Sequence, residues 1–209
     1  MKIYFVRHGE TAWNKEKKIQ GRSDIPLNEY GKELAEITAE AIKDIPFDIV
    51  YSSPLKRARE TANILTKERN LTIHENPLLL EMSFGEGEGE SLPVIHAHPK
   101  LELHNFIHNP GEYTPPVGGE TFEELYERCK TFINDIILPA EKNYNCMLLV
   151  GHGALIRGMI HCITGRPSKD FWTVTHKNCS VTIAECHCGK LSLLEEAKIY
   201  YKEETQATW

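Results

Sequence analysis

No apolar run in the chain exceeds five residues. The longest, Cys146–Val150, falls far short of the roughly 20 residues a membrane-spanning helix needs. No secretory leader is expected either. Lys2 is followed by four apolar residues and then at once by Arg7 and His8, leaving no room for an apolar core and a cleavage site. The six cysteines (Cys129, Cys146, Cys162, Cys179, Cys186 and Cys188) therefore read as reduced thiols, and the expected location is cytoplasmic. Positive charge is also scarce. The net charge is −6, and from Asn70 to Glu127 there are 11 Glu and no Asp against a single base, Lys100. Nothing here supplies the basic face that nucleic acid demands. That acidic stretch also holds five of the ten histidines, His74, His96, His98, His104 and His108. With 41% hydrophobic and 26% charged residues, the composition is globular rather than disordered. A chain of 209 residues buries roughly 70% of its unfolded surface, enough for its own core.

Ile3–Val6 is short, apolar and β-prone, which predicts a buried strand running into Arg7-His8-Gly9-Glu10. Asn28 stands where a helix cap belongs, ahead of Leu34, Ile37, Ala41 and Ile45 at helical spacing, and Pro46 stops that helix. Ile49–Tyr51 predicts a second strand, followed by a helix carrying Arg57, Ala58, Ala62 and Leu65. From Phe84 to Gly119 the pattern breaks into a stretch rich in Gly and Pro, read as an inserted lid with one helix at most. Thr121 and Glu124 form a capping box for a helix whose stripe runs from Phe122 to Ile137. A third strand, Met147–Val150, ends at Gly151-His152-Gly153 and precedes a helix over Ala154–Thr164. Ser180–Cys186 and Lys190–Leu194 alternate as a hairpin turning at Gly189, with Cys186 and Cys188 on one buried face. Strands alternating with helices imply one α/β domain over 1–209, with a lid at about 84–119.

Two of the three predicted core strands end in a histidine beside glycine, and the second leads to Arg57. In open α/β sheets, ligands gather at the carboxyl ends of the strands. If these strands are neighbours, two arginines and two histidines converge. Such a cluster repels itself unless an anion sits there, and guanidinium forks suit phosphate oxygens.

These residues also carry a resemblance. Arg7-His-Gly-Glu-Thr11 with Asn14 and Gln20-Gly21 resembles the signature of the histidine phosphatase (phosphoglycerate mutase-like) superfamily. Ser52–Ala62 resembles its second motif, Leu80-Glu81 with Phe84-Gly85 its third, and Gly151-His152-Gly153 its fourth, in the expected order from Lys2 to about Leu194. The resemblance implies a three-layer α/β/α fold with a mixed, mostly parallel sheet. It also implies a metal-independent phosphomonoesterase that needs no cofactor and acts on a small-molecule phosphate ester. His8 is implied as nucleophile, Arg7, Arg57 and His152 as the phosphate pocket, and Glu81 as the proton donor and acceptor. Asn14, Gln20 and Gly21 match positions on the phosphate or substrate side.

Gly87 stands where many members carry an aromatic residue, and the central segment lacks the paired arginines of the cofactor-dependent mutases. The missing arginines favour the phosphatase reading over a phosphoglycerate mutase, and the presence of His8, Glu81, Arg57 and His152 favours it over a non-catalytic phosphate-binding module, while Gly87 bears only on the substrate wall. The lid histidines, including His104 and His108 at i, i+4, are read as solvated rather than as metal ligands. Glu86, Glu88, Glu90, Glu102 and Glu112 predict a lid that repels a second anionic group on the substrate, with Phe84, Phe106 and Tyr113 as wall residues.

Overall fold

The computed structural model describes residues 1–202, so Trp209, expected as a loose end, lies outside the described residues. In chain order the elements are β1 (Lys2–Arg7), α1 (Ala12–Lys15), α2 (Glu29–Ala41), β2 (Ile49–Ser52), α3 (Lys56–Thr66), β3 (Ile73–Glu75), α4 (Leu92–Ala97), α5 (Glu102–His108), α6 (Phe122–Phe132), α7 (Leu138–Ala140), β4 (Cys146–Gly151), α8 (Gly153–Thr164), β5 (Val181–His187) and β6 (Lys190–Lys198). They build a six-stranded sheet in the order β3-β2-β4-β1-β5-β6. Strands β1 to β4 run parallel, and β5 and β6 close one side as an antiparallel hairpin. The three strands whose ends carry the candidate chemistry are direct neighbours, with β4 between β2 and β1.

Alternation within each strand divides the core in two. Ile3, Phe5, Met147 and Leu149 pack with Leu125, Cys129, Leu155 and Met159 of α6 and α8 on one face. Tyr4, Val6, Leu148 and Val150 pack with Ala58, Ala62 and Leu65 of α3 on the other. A sheet covered on both faces needs continuous apolar strands, which is why β1 and β4 read that way. Each large aliphatic side chain so buried contributes roughly 1.5–3 kcal/mol.

Several local expectations are corrected. The buried face of α2 is Gly31, Leu34, Ala35 and Thr38, continued by Ile42, whereas Ile37 and Ala41 face solvent. The helix ends at Ala41, and residues 42–45 turn before Pro46. Strand β3 is an edge strand of three residues, too short to give a pattern. The lid holds two short helices, α4 and α5, and an isolated bridge between Phe84 and Gly119 closes its base. The hairpin turn occupies Cys188-Gly189, both at positive φ (52° and 73°), so Cys188 is exposed while Cys186 is buried. Thr121 and Glu124 do form the capping box of α6, which passes into a wider π-helical stretch, Ile133–Ile137, just before Pro139 of α7. Proline has no N–H to give, and a wide turn accommodates its ring. All six cysteines are free. Among the described residues, no helix is long and apolar enough to cross a membrane.

Candidate active site

Register brings the two histidine-bearing strand ends level. Arg7 pairs with Gly151 across β1 and β4, and the His8 amide donates to the Gly151 carbonyl at 2.9 Å. His8 and His152 therefore leave the sheet side by side, with ring centres 5.2 Å apart. β2 delivers Ser53 to the same level, where its amide donates to the Val150 carbonyl and its Oγ meets His152 Nε2 at 2.7 Å. The next helix, α3, carries Arg57 and Thr61, and the Thr61 hydroxyl oxygen accepts from the Gly9 amide. The turn after His8 is held by a close approach of two backbones. A Cβ on Gly31 would lie 2.1 Å from the Glu10 carbonyl oxygen, so α2 can seat against this loop only with glycine there.

A cleft opens at this point. Seven of the eight expected site residues line it: Arg7, His8, Asn14, Gln20, Gly21, Arg57 and Glu81. His152 is fully buried beside His8, behind the cleft surface. The cleft is also lined by four residues that sequence reasoning did not single out for the site, Ile19, Ala154, Arg157 and Trp172. Phe84 and Phe106 form part of the wall as expected, while Tyr113 packs behind Phe106 at 5.1 Å.

The His8 ring has a defined orientation. Its Nδ1 lies 2.7 Å from the Gly9 carbonyl oxygen, which can only accept, so Nδ1 carries the proton and Nε2 keeps its lone pair. Burial holds His8 well below the usual histidine range, and Arg57 and Arg7 add to the effect. His152 is depressed by burial, then by Arg57 and His8. Both rings are neutral at pH 7.

Three side chains in or just behind the cleft keep buried nitrogens without partners. Asn14 uses its Oδ1 to receive the Thr11 amide and the Asn178 side-chain amide, leaving Nδ2 buried and unpaired. Arg57 donates from Nη2 to the Gly21 carbonyl (2.6 Å) and from Nη1 to that of Ser23 (2.8 Å), leaving Nε unpaired. Its pKa is pushed down to about 10, chiefly by burial. His152 Nδ1 also lacks a partner. Orphaned buried donors are rare in folded proteins, and a group of them around one cavity fits an anion.

Glu81 is placed from two directions. Its Oε1 accepts from the amides of Met82 and Leu155, and its Oε2 from that of Ala154, at the start of α8. The segment before it is held by Arg128, whose Nη1 donates to the carbonyls of Leu78 and Leu80 while the guanidinium grips Glu120 through two bonds. The single donor on Oε2 leaves that oxygen able to carry or take a proton.

The lid carboxylates do not face the cleft. Glu86, Glu90, Glu102 and Glu112 are exposed and none lines it. Glu88 is turned onto the loop after Gly21, accepting from the amides of Arg22 and Ser23 and from the Ser23 hydroxyl. Gly21 sits at φ +53°, and a Cβ there would meet Glu88 Oε1 at 2.1 Å, so glycine is required for this loop to hold Arg57. The expected repulsion of a second anion thus loses its source. In the lid itself, His96 Nδ1 and His108 Nε2 lie 2.8 Å apart and His104 stacks on His108. Among the described residues, no group of three or more His, Cys, Asp or Glu is arranged to hold a metal ion.

Buried neutral histidines give a pH signature. His176, which presents its carbonyl to Arg7 Nη1, is pushed down to about 4 by burial, alongside His8 and His152. Below the unfolded value of about 6.5 the unfolded chain takes up protons that the folded chain refuses. Stability is therefore lost as pH falls below that point, with a slope approaching ~4 kcal/mol per pH unit for three such groups. Urea unfolding at pH 7.5, 6.0 and 5.0 checks this, and saturating inorganic phosphate should raise the midpoint at each pH.

Comparison with known proteins shows the family to which the chain belongs. Residues 3–197 match the profile of the histidine phosphatase superfamily (branch 1). The chain is 31% identical to putative phosphoserine phosphatase 2 of Hydrogenobacter thermophilus over 204 residues, 97% of this chain and 98% of that protein. Among solved structures, YhfR of Bacillus stearothermophilus superposes with a TM-score of 0.86 at 28% identity, covering 95% of this chain and 97% of that one. A phosphoserine phosphatase of Entamoeba histolytica, in complex with phosphoserine, superposes with a TM-score of 0.80 at 26% identity, covering 92% and 94%. The chain belongs to the histidine phosphatase superfamily, branch 1.

Proposed function

We propose that this protein is a phosphomonoesterase that hydrolyses a small-molecule phosphate ester through a phosphohistidine on His8. The observation that carries the reading is the His8 ring: Nδ1 is tied to the Gly9 carbonyl, so Nε2 is the atom with a lone pair at the cleft. In the first step Nε2 bonds to phosphorus as the ester P–O bond breaks, and Glu81 gives its proton to the leaving oxygen. In the second, Glu81 takes a proton from a water that bonds to phosphorus as the P–N bond breaks. Phosphate leaves, and His8 and Glu81 return to their starting states. Arg7 and Arg57 offset the charge that spreads over the equatorial oxygens, with His152 and the Asn14 amide as further donors. The phosphoserine bound by the Entamoeba relative supports an ester of comparable size.

The test is a panel of phosphate monoesters assayed for free phosphate. Hydrolysis of at least one small ester is expected; no release from any, or conversion to an isomeric ester instead, would overturn the reading. The fixed cations already supply the charge a metal ion would bring, so activity should be unchanged in excess EDTA. Loss in EDTA, restored by one divalent ion, would contradict that.

A further inference from the structure

Arg157 lies one helical turn after Gly153 on α8, a helix whose other buried residues are apolar or glycine. The residue is 6% exposed and lines the cleft. Nη1 donates to the Gly153 carbonyl and Nη2 to that of Val174, both at 3.0 Å, while Nε is buried with no acceptor. Of five N–H donors, two are therefore committed. No carboxylate forms an ion pair with it among the described residues, although burial lowers its pKa to about 9 and Arg7 adds to that. A buried cation without a counter-ion is costly, and a structural tie between two carbonyls does not call for a charge.

Its position relates two parts of the cleft. A Cβ on Gly153 would stand 3.4 Å from Arg157 Nη1 and 3.5 Å from Arg7 Nε, so the two guanidinium groups flank the same gap. On its other side Arg157 lies over Trp172, 4.5 Å from the ring centre, and the Trp172 indole N–H donates to the Phe106 carbonyl. Arg157 thus stands between the phosphate cations and the aromatic wall, where the body of a short ester must pass. With the lid glutamates turned outward, no carboxylate among the described residues pairs with Arg157; the acids whose charge acts on it, Glu81 and Glu196, are bonded instead to backbone amides and to Arg166 and His176.

We propose that Arg157 determines specificity by taking a carboxylate on the substrate, so that the preferred esters are small phosphorylated acids with the carboxylate a few bonds from the ester oxygen. The planar fork of a guanidinium matches a planar carboxylate. The inference rests on the phosphomonoesterase reading of the cleft, but its test does not depend on turnover.

The test measures binding to the His8→Ala protein by calorimetry, using 3-phosphoglycerate and glycerol 3-phosphate, which differ by carboxylate against hydroxymethyl. With Arg157 present, the carboxylate ester should bind at least ten-fold more tightly. Adding Arg157→Met should bring the ratio of dissociation constants to within about two-fold. Arg157→Lys, which keeps the charge but not the fork, should retain part of the preference and serves if the Met variant does not fold. A ratio near one with Arg157 present, or a ratio unmoved by both substitutions, overturns the proposal. Absence of phosphate release from every ester by the unsubstituted enzyme would instead overturn the phosphomonoesterase reading and leave the binding ratio to be judged by itself.

Discussion

His8→Ala should lower turnover of any substrate by at least about 10⁴-fold, because no other residue lining the cleft among the described residues offers an imidazole nitrogen with a free lone pair to phosphorus. The nearest candidate, His152, is fully buried, and its Nε2 is engaged by Ser53. The fold should survive. His8 lines an open cleft, so the space left by the ring joins the cleft and is not sealed as an internal cavity. Removing a buried histidine that stays neutral also removes one source of acid instability. Steady-state kinetics with a circular-dichroism melt separates the two effects. Turnover within ten-fold of the parent, in a folded variant, would remove His8 from the chemistry.

Glu81→Gln should have the second largest effect, and its size should depend on the leaving group. An alkyl alkoxide needs a proton as it departs, so loss of the acid should cost about 10²–10⁴-fold on an alkyl phosphate. An aryl phosphate with a stable phenolate should suffer less in the phosphorylation step. The glutamine oxygen can still accept from the amides of Met82 and Leu155, while its NH2 forfeits the bond from Ala154, so the local backbone keeps two of its three ties. Burst kinetics on a nitrophenyl ester isolates the first step. Equal losses on alkyl and aryl esters in that step would mean that Glu81 acts through structure and not through a proton.

Much of this site was legible in the chain because its residues follow strand ends. Short apolar runs before Arg7-His8 and Gly151-His152 announce both the strand and the place where it stops, and parallel neighbours bring such ends level. Gly21 was named without its reason, which is a positive φ against Glu88, a residue 67 positions away. Arg157 escaped notice because a single cation on a helix usually reaches solvent, and nothing local says that Trp172 and Val174 will cover it. One signal was available: Arg157 falls four residues after Gly153, on the face that the strand end directs at the cleft. The lid charges misled for a similar reason. Composition gives the sign of a segment's charge but not the direction of its side chains, and in a short helix such as α5 the apolar Leu103 and Phe106 turn inward and Glu102 outward.

The most direct test of the account is to quench the enzyme within milliseconds of mixing with a phosphate ester and to locate the phosphoryl group. One phosphate per chain is expected, labile in acid and stable in base, on Nε2 of His8, since Nδ1 is held by the Gly9 carbonyl. Phosphorus NMR or mass spectrometry of the His8 peptide distinguishes the two ring nitrogens. A phosphoryl group on another residue, or rapid hydrolysis with no phosphoenzyme at any time point, would contradict it.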